Sequence, residues 1–274
     1  MDLEKKRYEE MSKLSISNIA WTTEKDEVVY EMMQDKGFSG LEIAPTRIFP
    51  ESPYDRCSDA KVWAEDIRND YGFALPSMQS IWYGRQEKLF GTAEEKATLI
   101  AYTKKAIDFA ETIGCNNLVF GCPRNRNMPI GADEQIAIEF FKEIGDYAFT
   151  HNTVVGIEAN PPIYNTNYIN STSEAIELIE RVNSKGFLLN LDFGTMIENG
   201  EDVSSLKGKE CLINHVHISE PGLKAIKKRD QHYELAELLK NGGYMNYVSI
   251  EVCAQENERV LETMMTYVKS IFGD

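Results

Sequence analysis

The chain alternates short apolar runs with longer stretches of helical periodicity along its whole length. Eight runs are candidate strands, at residues 14–20, 40–44, 74–79, 117–120, 154–158, 187–192, 213–218 and 247–251. In 94–113, 133–151 and 173–182 apolar residues recur every three or four positions, which predicts amphipathic helices. Glycines near such stretches, at Gly37, Gly114 and Gly186, suit helix C-termini.

This alternation predicts the fold class, α/β. Strands separated by helices pair in parallel through right-handed crossovers. Eight such units in 274 residues predict a single (β/α)₈ TIM barrel, which typically takes about 250 residues. A doubly wound open sheet is the alternative, but no GxGxxG follows the first run. We expect one domain over 1–274, with 1–12 as a charged leader.

Charge and cysteine content narrow the classes of partner. The net charge of −15 disfavours nucleic acid and anionic membranes, because both bind through Lys and Arg. No apolar run approaches the roughly 18 residues of a membrane span, and the first residues lack the apolar core of a secretory signal. Five scattered cysteines without a CxxC pair argue against a disulfide framework. We therefore expect a cytoplasmic protein.

Each of the last four candidate strands carries an ionisable residue near its carboxyl end. These residues are Glu158, Asp192, His217 and Glu251, and each follows the previous one by about one βα unit. A strand buried on both faces is normally apolar, so a charge there is costly unless it is paired or bound to a metal. Barrel enzymes keep their active sites at this end of the strands. We therefore expect the four side chains to face one mouth.

Three carboxylates and one imidazole suit a single divalent ion such as Mn²⁺, Co²⁺ or Mg²⁺, with Zn²⁺ as a further option. Without a cation, three carboxylates so close would repel one another, and one or more would be protonated. The alternative is that each residue caps a helix or forms a salt bridge at the end of its own strand, without a shared metal.

The motifs around these residues resemble the xylose-isomerase-like barrel superfamily of sugar phosphate isomerases and epimerases. They are IEANP (157–161), LDFGT (191–195), HVHISE (215–220) and SIE (249–251), and the resemblance covers nearly the whole chain. It implies that Glu158, Asp192, His217 and Glu251 bind the metal. In the related ketose 3-epimerases, such as D-tagatose 3-epimerase, the two glutamates also shuttle the proton.

The chain departs from that pattern at two positions. Thr195 stands where the ketose epimerases have a histidine, and Leu223 stands where they have an arginine, both of which contact substrate in those enzymes. The barrel is also shared by endonuclease IV, which needs three zinc ions and many more histidines than the four present here.

Five further residues are candidates for contact with substrate. Gln79 follows the third run, and Arg126 follows the fourth, where a cation would suit a sugar phosphate or sugar acid. Asn160 lies two residues after Glu158 and His215 two before His217, so each is a candidate for a hydroxyl contact or for local ordering. His232 lies in the stretch after the seventh run, and its alternative is a surface or capping role.

These features predict a divalent-metal-dependent sugar or sugar phosphate isomerase or epimerase. The metal would bind a carbonyl and its neighbouring hydroxyl and stabilise the enediolate formed when the adjacent proton leaves. Glu158 and Glu251 would act as the general base and acid. A dehydratase of a keto-polyol and a non-catalytic barrel that binds metal or sugar are the alternatives. The family often forms homo-oligomers.

Overall fold

The computed structural model describes residues 13–273, so the expected leader 1–12 lies outside the described residues. Seven strands form one parallel sheet: β1 (Lys13–Ser17), β2 (Gly40–Glu42), β3 (Leu118–Phe120), β4 (Val155–Ile157), β5 (Phe187–Asp192), β6 (Ile213–Ile218) and β7 (Tyr247–Ile250). Their order is β2-β1-β7-β6-β5-β4-β3. The first and last strands are therefore neighbours, as closure of a barrel requires, and the α/β class is confirmed.

The expected strand at 74–79 is not formed as a regular strand, so the described residues show seven of the eight strands. Ala74 makes an isolated parallel bridge to Gly40 of β2, and Met78 bridges to Ile43, just after β2, and to Leu118 of β3. Met78 N–H donates to Asn117 O at 2.9 Å, and Val119 N–H donates to Met78 O at 2.8 Å. Pro76 interrupts the segment because it has no N–H to donate. The segment thus joins the two sheet edges without a continuous ladder.

Nine helices lie among the described residues: α1 (Asp26–Lys36), α2 (Pro45–Ile48), α3 (Cys57–Tyr71), α4 (Ala93–Ile113), α5 (Gln135–Thr150), α6 (Thr172–Val182), α7 (Phe193–Asn199), α8 (Asp230–Asn241) and α9 (Glu258–Phe272). They include all three helices predicted from periodicity. α4 packs between α3 and α5, α5 packs on α6, and α9 packs on both α8 and α1. Within residues 13–273, no helix has the length and apolar character needed to cross a membrane.

Two of the three glycines expected at helix ends have that role. Gly37 and Gly114 adopt left-handed φ angles of 76° and 68° after α1 and α4, a conformation that costs glycine little. Gly186 does not, because α6 ends instead at Asn183, whose φ is 49°. A Cβ on Gly186 would lie 2.1 Å from the backbone oxygen of Gly145 on α5. Gly186 therefore permits close approach of strand and helix.

An aromatic cluster anchors the outer helices to the sheet. Phe120 of β3 contacts Trp82 edge-on at 4.6 Å between ring centroids, and Phe141 of α5 lies 4.9 Å from Phe120. Phe141 also stacks on Phe187 of β5 at 4.7 Å. Such offset and edge contacts add to the free energy gained by burying the rings. This packing holds the strands whose carboxyl ends carry the site.

Candidate metal centre

The four strand-end residues come together as expected. Donor atoms of Glu158, Asp192, His217 and Glu251 all lie within 4.8 Å of one another. Nδ1 of His217 is 3.0 Å from Oε1 of Glu158 and 3.2 Å from Oε2 of Glu251. His217 is fully buried, and the two glutamates are less than a tenth exposed. We call this group the quartet.

The quartet concentrates negative charge in a poorly solvated place. Burial, reinforced by the charge of Glu158, raises the pKa of Asp192 to about 6. Burial, together with Glu158 and Asp192, raises the pKa of Glu251 to about 7. Burial alone would lower the pKa of His217, but the Glu251 and Glu42 carboxylates outweigh it and raise that pKa well above its ordinary value. The charged forms of Asp192 and Glu251 are therefore unfavourable unless a cation is near.

The quartet fits a divalent ion. It offers three carboxylates and one imidazole, a hard and borderline donor set. A cation would remove the repulsion that raises the two carboxyl pKa values. The position at the carboxyl ends of β4 to β7 also matches where barrel enzymes bind substrate.

Asp192 is oriented by two hydrogen bonds. Its Oδ1 accepts from the backbone N–H of Thr195 at 2.5 Å, and its Oδ2 accepts from the hydroxyl of Ser219 at 2.6 Å. The first bond caps the N-terminus of α7. The side chain of Thr195 is buried and donates to the backbone oxygen of Ala159 at 2.8 Å. Thr195 thus supports Asp192 and the loop after β4.

Glu158 is held from both sides. Its Oε1 accepts from Asn190 Nδ2 at 2.8 Å, and its Oε2 accepts from Asn160 Nδ2 at 3.0 Å. The fully buried Arg126 donates from Nη1 to the backbone oxygen of Glu158 at 2.8 Å and from Nη2 to Asn160 Oδ1 at 3.0 Å and Ile169 O at 3.1 Å. Arg126 and Asn160 therefore lie at the site as supports for Glu158; contact of either with substrate stays a prediction.

A second buried cluster lies against the quartet, centred on Glu42 at the end of β2. Oε2 of Glu42 is 2.9 Å from Nε2 of His217 and 3.0 Å from Nε2 of His215. Nε2 of Gln79 donates to Ser17 Oγ at 2.7 Å and to Glu42 Oε1 at 3.4 Å. Burial would raise the pKa of Glu42, but the neighbouring His217 and His215 outweigh burial and hold that pKa well below its usual range.

Glu42 is absent from the residues predicted from sequence, although its signal is present. It is a charged residue inside the apolar run GLEIA (40–44), the same feature that singled out the quartet. Its strand lies early in the chain, away from the four consecutive strands that carry the quartet. Gln79 and His215 lie in this cluster, so the structure places both beneath the quartet.

His232 lies apart from both clusters, on α8. Its ring is fully buried, tilted against Phe193 at 4.9 Å, and its Nδ1 is 2.9 Å from Tyr267 Oη. Burial lowers the pKa of His232 to about 4. Phe193 directly follows the quartet residue Asp192, so His232 packs behind that strand end. Its contact with substrate stays a prediction.

Tyr164 is a further side chain near the quartet that the sequence did not single out. Its hydroxyl accepts from the backbone N–H of Gly222 at 2.9 Å. Burial, reinforced by the charges of Asp192, Glu251 and Glu158, raises its pKa. Its only sequence signal is an aromatic residue shortly after IEANP. Tyr164 thus joins the loop after β4 to the loop after β6.

Fold and quartet together define the class of protein. A family model described as xylose isomerase-like TIM barrel matches residues 31–271, and the chain belongs to this family. No curated protein sequence matches it significantly.

Solved structures share the fold at low sequence identity. A 3-keto-D-glucoside 4-epimerase from E. coli is 17% identical with a TM-score of 0.74, covering 94% of this chain and 99% of that one. A D-psicose 3-epimerase with D-tagatose, from Clostridium cellulolyticum H10, is 15% identical with a TM-score of 0.76 over 95% and 99%. An AP endonuclease, family 2, from Brucella melitensis is 18% identical with a TM-score of 0.71 over 94% and 98%.

Proposed function

We propose that this chain is a divalent-metal-dependent sugar epimerase or isomerase that moves a proton next to a ketose carbonyl through an enediolate. The observation that carries the proposal is the quartet of Glu158, Asp192, His217 and Glu251, whose donor atoms converge within 4.8 Å. The epimerases among the structural neighbours are consistent with it. A bound Mn²⁺, Co²⁺, Mg²⁺ or Zn²⁺ would polarise the carbonyl and stabilise the developing negative charge.

Glu158 and Glu251 are the proposed acid–base pair. They follow β4 and β7, which are separated in the sheet by β5 and β6, so they approach a bound sugar from different sides. Burial raises the pKa of Glu251, which favours a role as a catalytic acid or base. One carboxylate would remove the proton and the other would return it, while Asp192 and His217 hold the metal.

The surroundings of the quartet favour a neutral sugar over a phosphorylated one. Arg126 directs three N–H groups at protein acceptors, so its charge is committed to holding Glu158 and Asn160. Lys224, Lys227 and Lys228, which follow β6, are all exposed. We therefore propose an uncharged keto sugar as substrate.

The first test is metal content. Protein purified without chelator and reloaded with Mn²⁺ or Co²⁺ should hold about one ion per chain by elemental mass spectrometry. His217→Ala and Glu251→Gln should hold much less, and Glu258→Gln, an exposed carboxylate paired with Lys25 on the outer surface, should match the wild type. No metal in the wild type after reloading contradicts the proposal.

The second test is proton exchange. Metal-loaded protein is incubated in D₂O with D-fructose, D-psicose, D-tagatose, L-ribulose and a 3-keto-glucoside. Uptake of one deuterium into a sugar, abolished in Glu251→Gln, is the expected result. Loss of water from the product would replace the epimerase by a dehydratase, and metal binding without exchange in any sugar would leave a binding protein.

A further inference from the structure

We propose that Glu42 is a positioning residue that fixes which nitrogen of His217 faces the metal. The inference rests on the proposed metal centre. Glu42 is fully buried and ends β2, whereas the quartet lies at the ends of β4 to β7. The proposal gives the Glu42 cluster a defined role in metal binding.

The two nitrogens of His217 face different partners. Nδ1 points at the quartet, 3.0 Å from Glu158 and 3.2 Å from Glu251, whereas Nε2 is 2.9 Å from Oε2 of Glu42. When a metal binds, His217 gives up one proton and becomes a neutral imidazole with one N–H and one lone pair, whereas an ionised carboxylate only accepts hydrogen bonds. The hydrogen therefore belongs on Nε2, where Glu42 accepts it. That leaves the lone pair of Nδ1 directed at the metal position.

Glu42 is itself held so that this bond persists. It is fully buried, and its backbone pairs within the sheet between β1 and the segment 74–79. Its second oxygen accepts from Gln79 at 3.4 Å. A charged acceptor in a dry site makes a strong hydrogen bond, because no water competes for the donor. The carboxylate is thus a fixed reference against which the imidazole is oriented.

A second imidazole, that of His215, also lies beside Glu42. Its Nε2 is 3.0 Å from the same oxygen of Glu42, but it is not oriented to form a hydrogen bond with any of the described residues. Of the two imidazoles beside Glu42, the one in hydrogen-bond geometry is the one that also faces the quartet. Carboxylates that accept from the outer nitrogen of a metal-binding histidine fix its tautomer and ring orientation, and losing them typically costs about 10- to 100-fold in metal affinity.

Glu42→Gln tests the role with little change in shape. The amide offers an NH₂ as well as an oxygen, so it can donate to Nε2 and move the hydrogen of His217 to Nδ1. We expect a dissociation constant for Mn²⁺ about 10- to 100-fold higher than that of the wild type, measured by chelator competition and by electron paramagnetic resonance of free Mn²⁺. Glu220→Gln is the matched control, since Glu220 is a buried carboxylate paired with Arg229.

A second measurement uses the wild-type protein and does not depend on the variant folding. The chain has four histidines, so ¹⁵N-histidine labelling gives a simple long-range ¹H–¹⁵N spectrum, assigned with His215→Gln and His232→Gln. With diamagnetic Zn²⁺ bound, His217 should show a protonated Nε2 and a metal-bound Nδ1. In Glu42→Gln this pattern should weaken or be replaced by the other tautomer.

The outcomes separate the inference from the function on which it rests. Metal binding by the wild type with an unchanged dissociation constant in Glu42→Gln overturns the role of Glu42 and leaves the proposed function intact. A metal-bound Nε2 in the wild type overturns it as well. If the wild type binds no metal, both proposals fail, because Glu42 then has no ligand to position. A weaker Glu42→Gln site with a normal Glu220→Gln site supports the inference.

Discussion

The early strands and the late strands both end in polar residues, but they use them differently. At the ends of β1, β2 and the segment 74–79 lie Ser17, Glu42 and Gln79, which hydrogen-bond with one another. At the ends of β4 to β7 lie the four residues of the quartet, where burial and neighbouring carboxylates raise the pKa of Asp192 and of Glu251.

The two sides differ in how far their hydrogen bonds offset their charge. On the early side, Gln79 donates to both Ser17 and Glu42, as expected of a supporting structure. The late side carries more negative charge than its hydrogen bonds offset, and a cation or a proton must complete it. His217 belongs to both, since one of its nitrogens faces each side.

The largest expected effect comes from removing the proposed proton carrier Glu251 on the late side. Glu251→Gln keeps the shape of the side chain but abolishes its acid–base function. We expect the rate of deuterium exchange into the sugar substrate to fall about 10²- to 10⁴-fold, beyond what restoring metal saturation recovers. Glu258→Gln should exchange at the wild-type rate. A Glu251→Gln protein as fast as wild type at saturating Mn²⁺ would show that Glu251 is only a ligand.

The next effect is the pH dependence of metal binding. Glu251 and Asp192 have pKa values of about 7 and about 6 in the metal-free protein. Below these values the carboxyl groups hold protons that the metal must displace, so affinity falls as pH falls, by about tenfold per pH unit for each proton displaced. Calorimetric titration with Mn²⁺ between pH 8 and pH 5.5 checks this. An affinity that is flat over that range would contradict the crowding of charge in the quartet.

On the early side, Gln79→Leu sharpens the comparison. The substitution leaves Ser17 and one oxygen of Glu42 without their donor, so we expect the free energy of unfolding to fall by about 1–3 kcal/mol. Urea denaturation measures this change. If Gln79 instead contacts substrate, as its sequence position suggested, KM rises while unfolding is little affected. The two measurements together therefore decide between support and substrate binding.

The smallest expected effect concerns His232, which belongs to neither the early nor the late side. His232 is neutral when buried, with a pKa of about 4, whereas the unfolded chain has a histidine pKa near 6.5. Below pH 6.5 the unfolded state gains a proton that the folded state does not. Stability is therefore lost as pH falls from 6.5 toward 4, with a slope near 1.4 kcal/mol per pH unit.

His232→Gln removes this contribution. Between pH 6.5 and pH 5.5 the wild type should lose about 1 kcal/mol more stability than the variant, measured by urea denaturation at each pH. Equal slopes for the two proteins would mean that His232 titrates normally. Metal affinity should be unchanged in the variant, because His232 lies behind Phe193.

The late side of the site could be predicted because its signal is local. Each acidic or histidine side chain ends a recognisable apolar run, and parallel strands bring their carboxyl ends to one edge. The hydrogen bonds that orient these side chains were not predictable. Arg126 is an example, since its position after a strand suggested substrate, whereas the structure shows its guanidinium bonded to the backbone of Glu158 and Ile169.

The sequence by itself determined the alternation of strands and helices, the parallel sheet and the four ligand candidates, because each depends on periodicity within a few residues. Only the tertiary structure decided that Pro76 interrupts the ladder of the segment between β2 and β3, and that Glu42 meets His217 across 175 positions of chain. The contact between Glu42 and His217 forms because β1 pairs with β7, which brings the first and last parts of the chain into one sheet. Local patterns carry no information about which buried side chains then become neighbours.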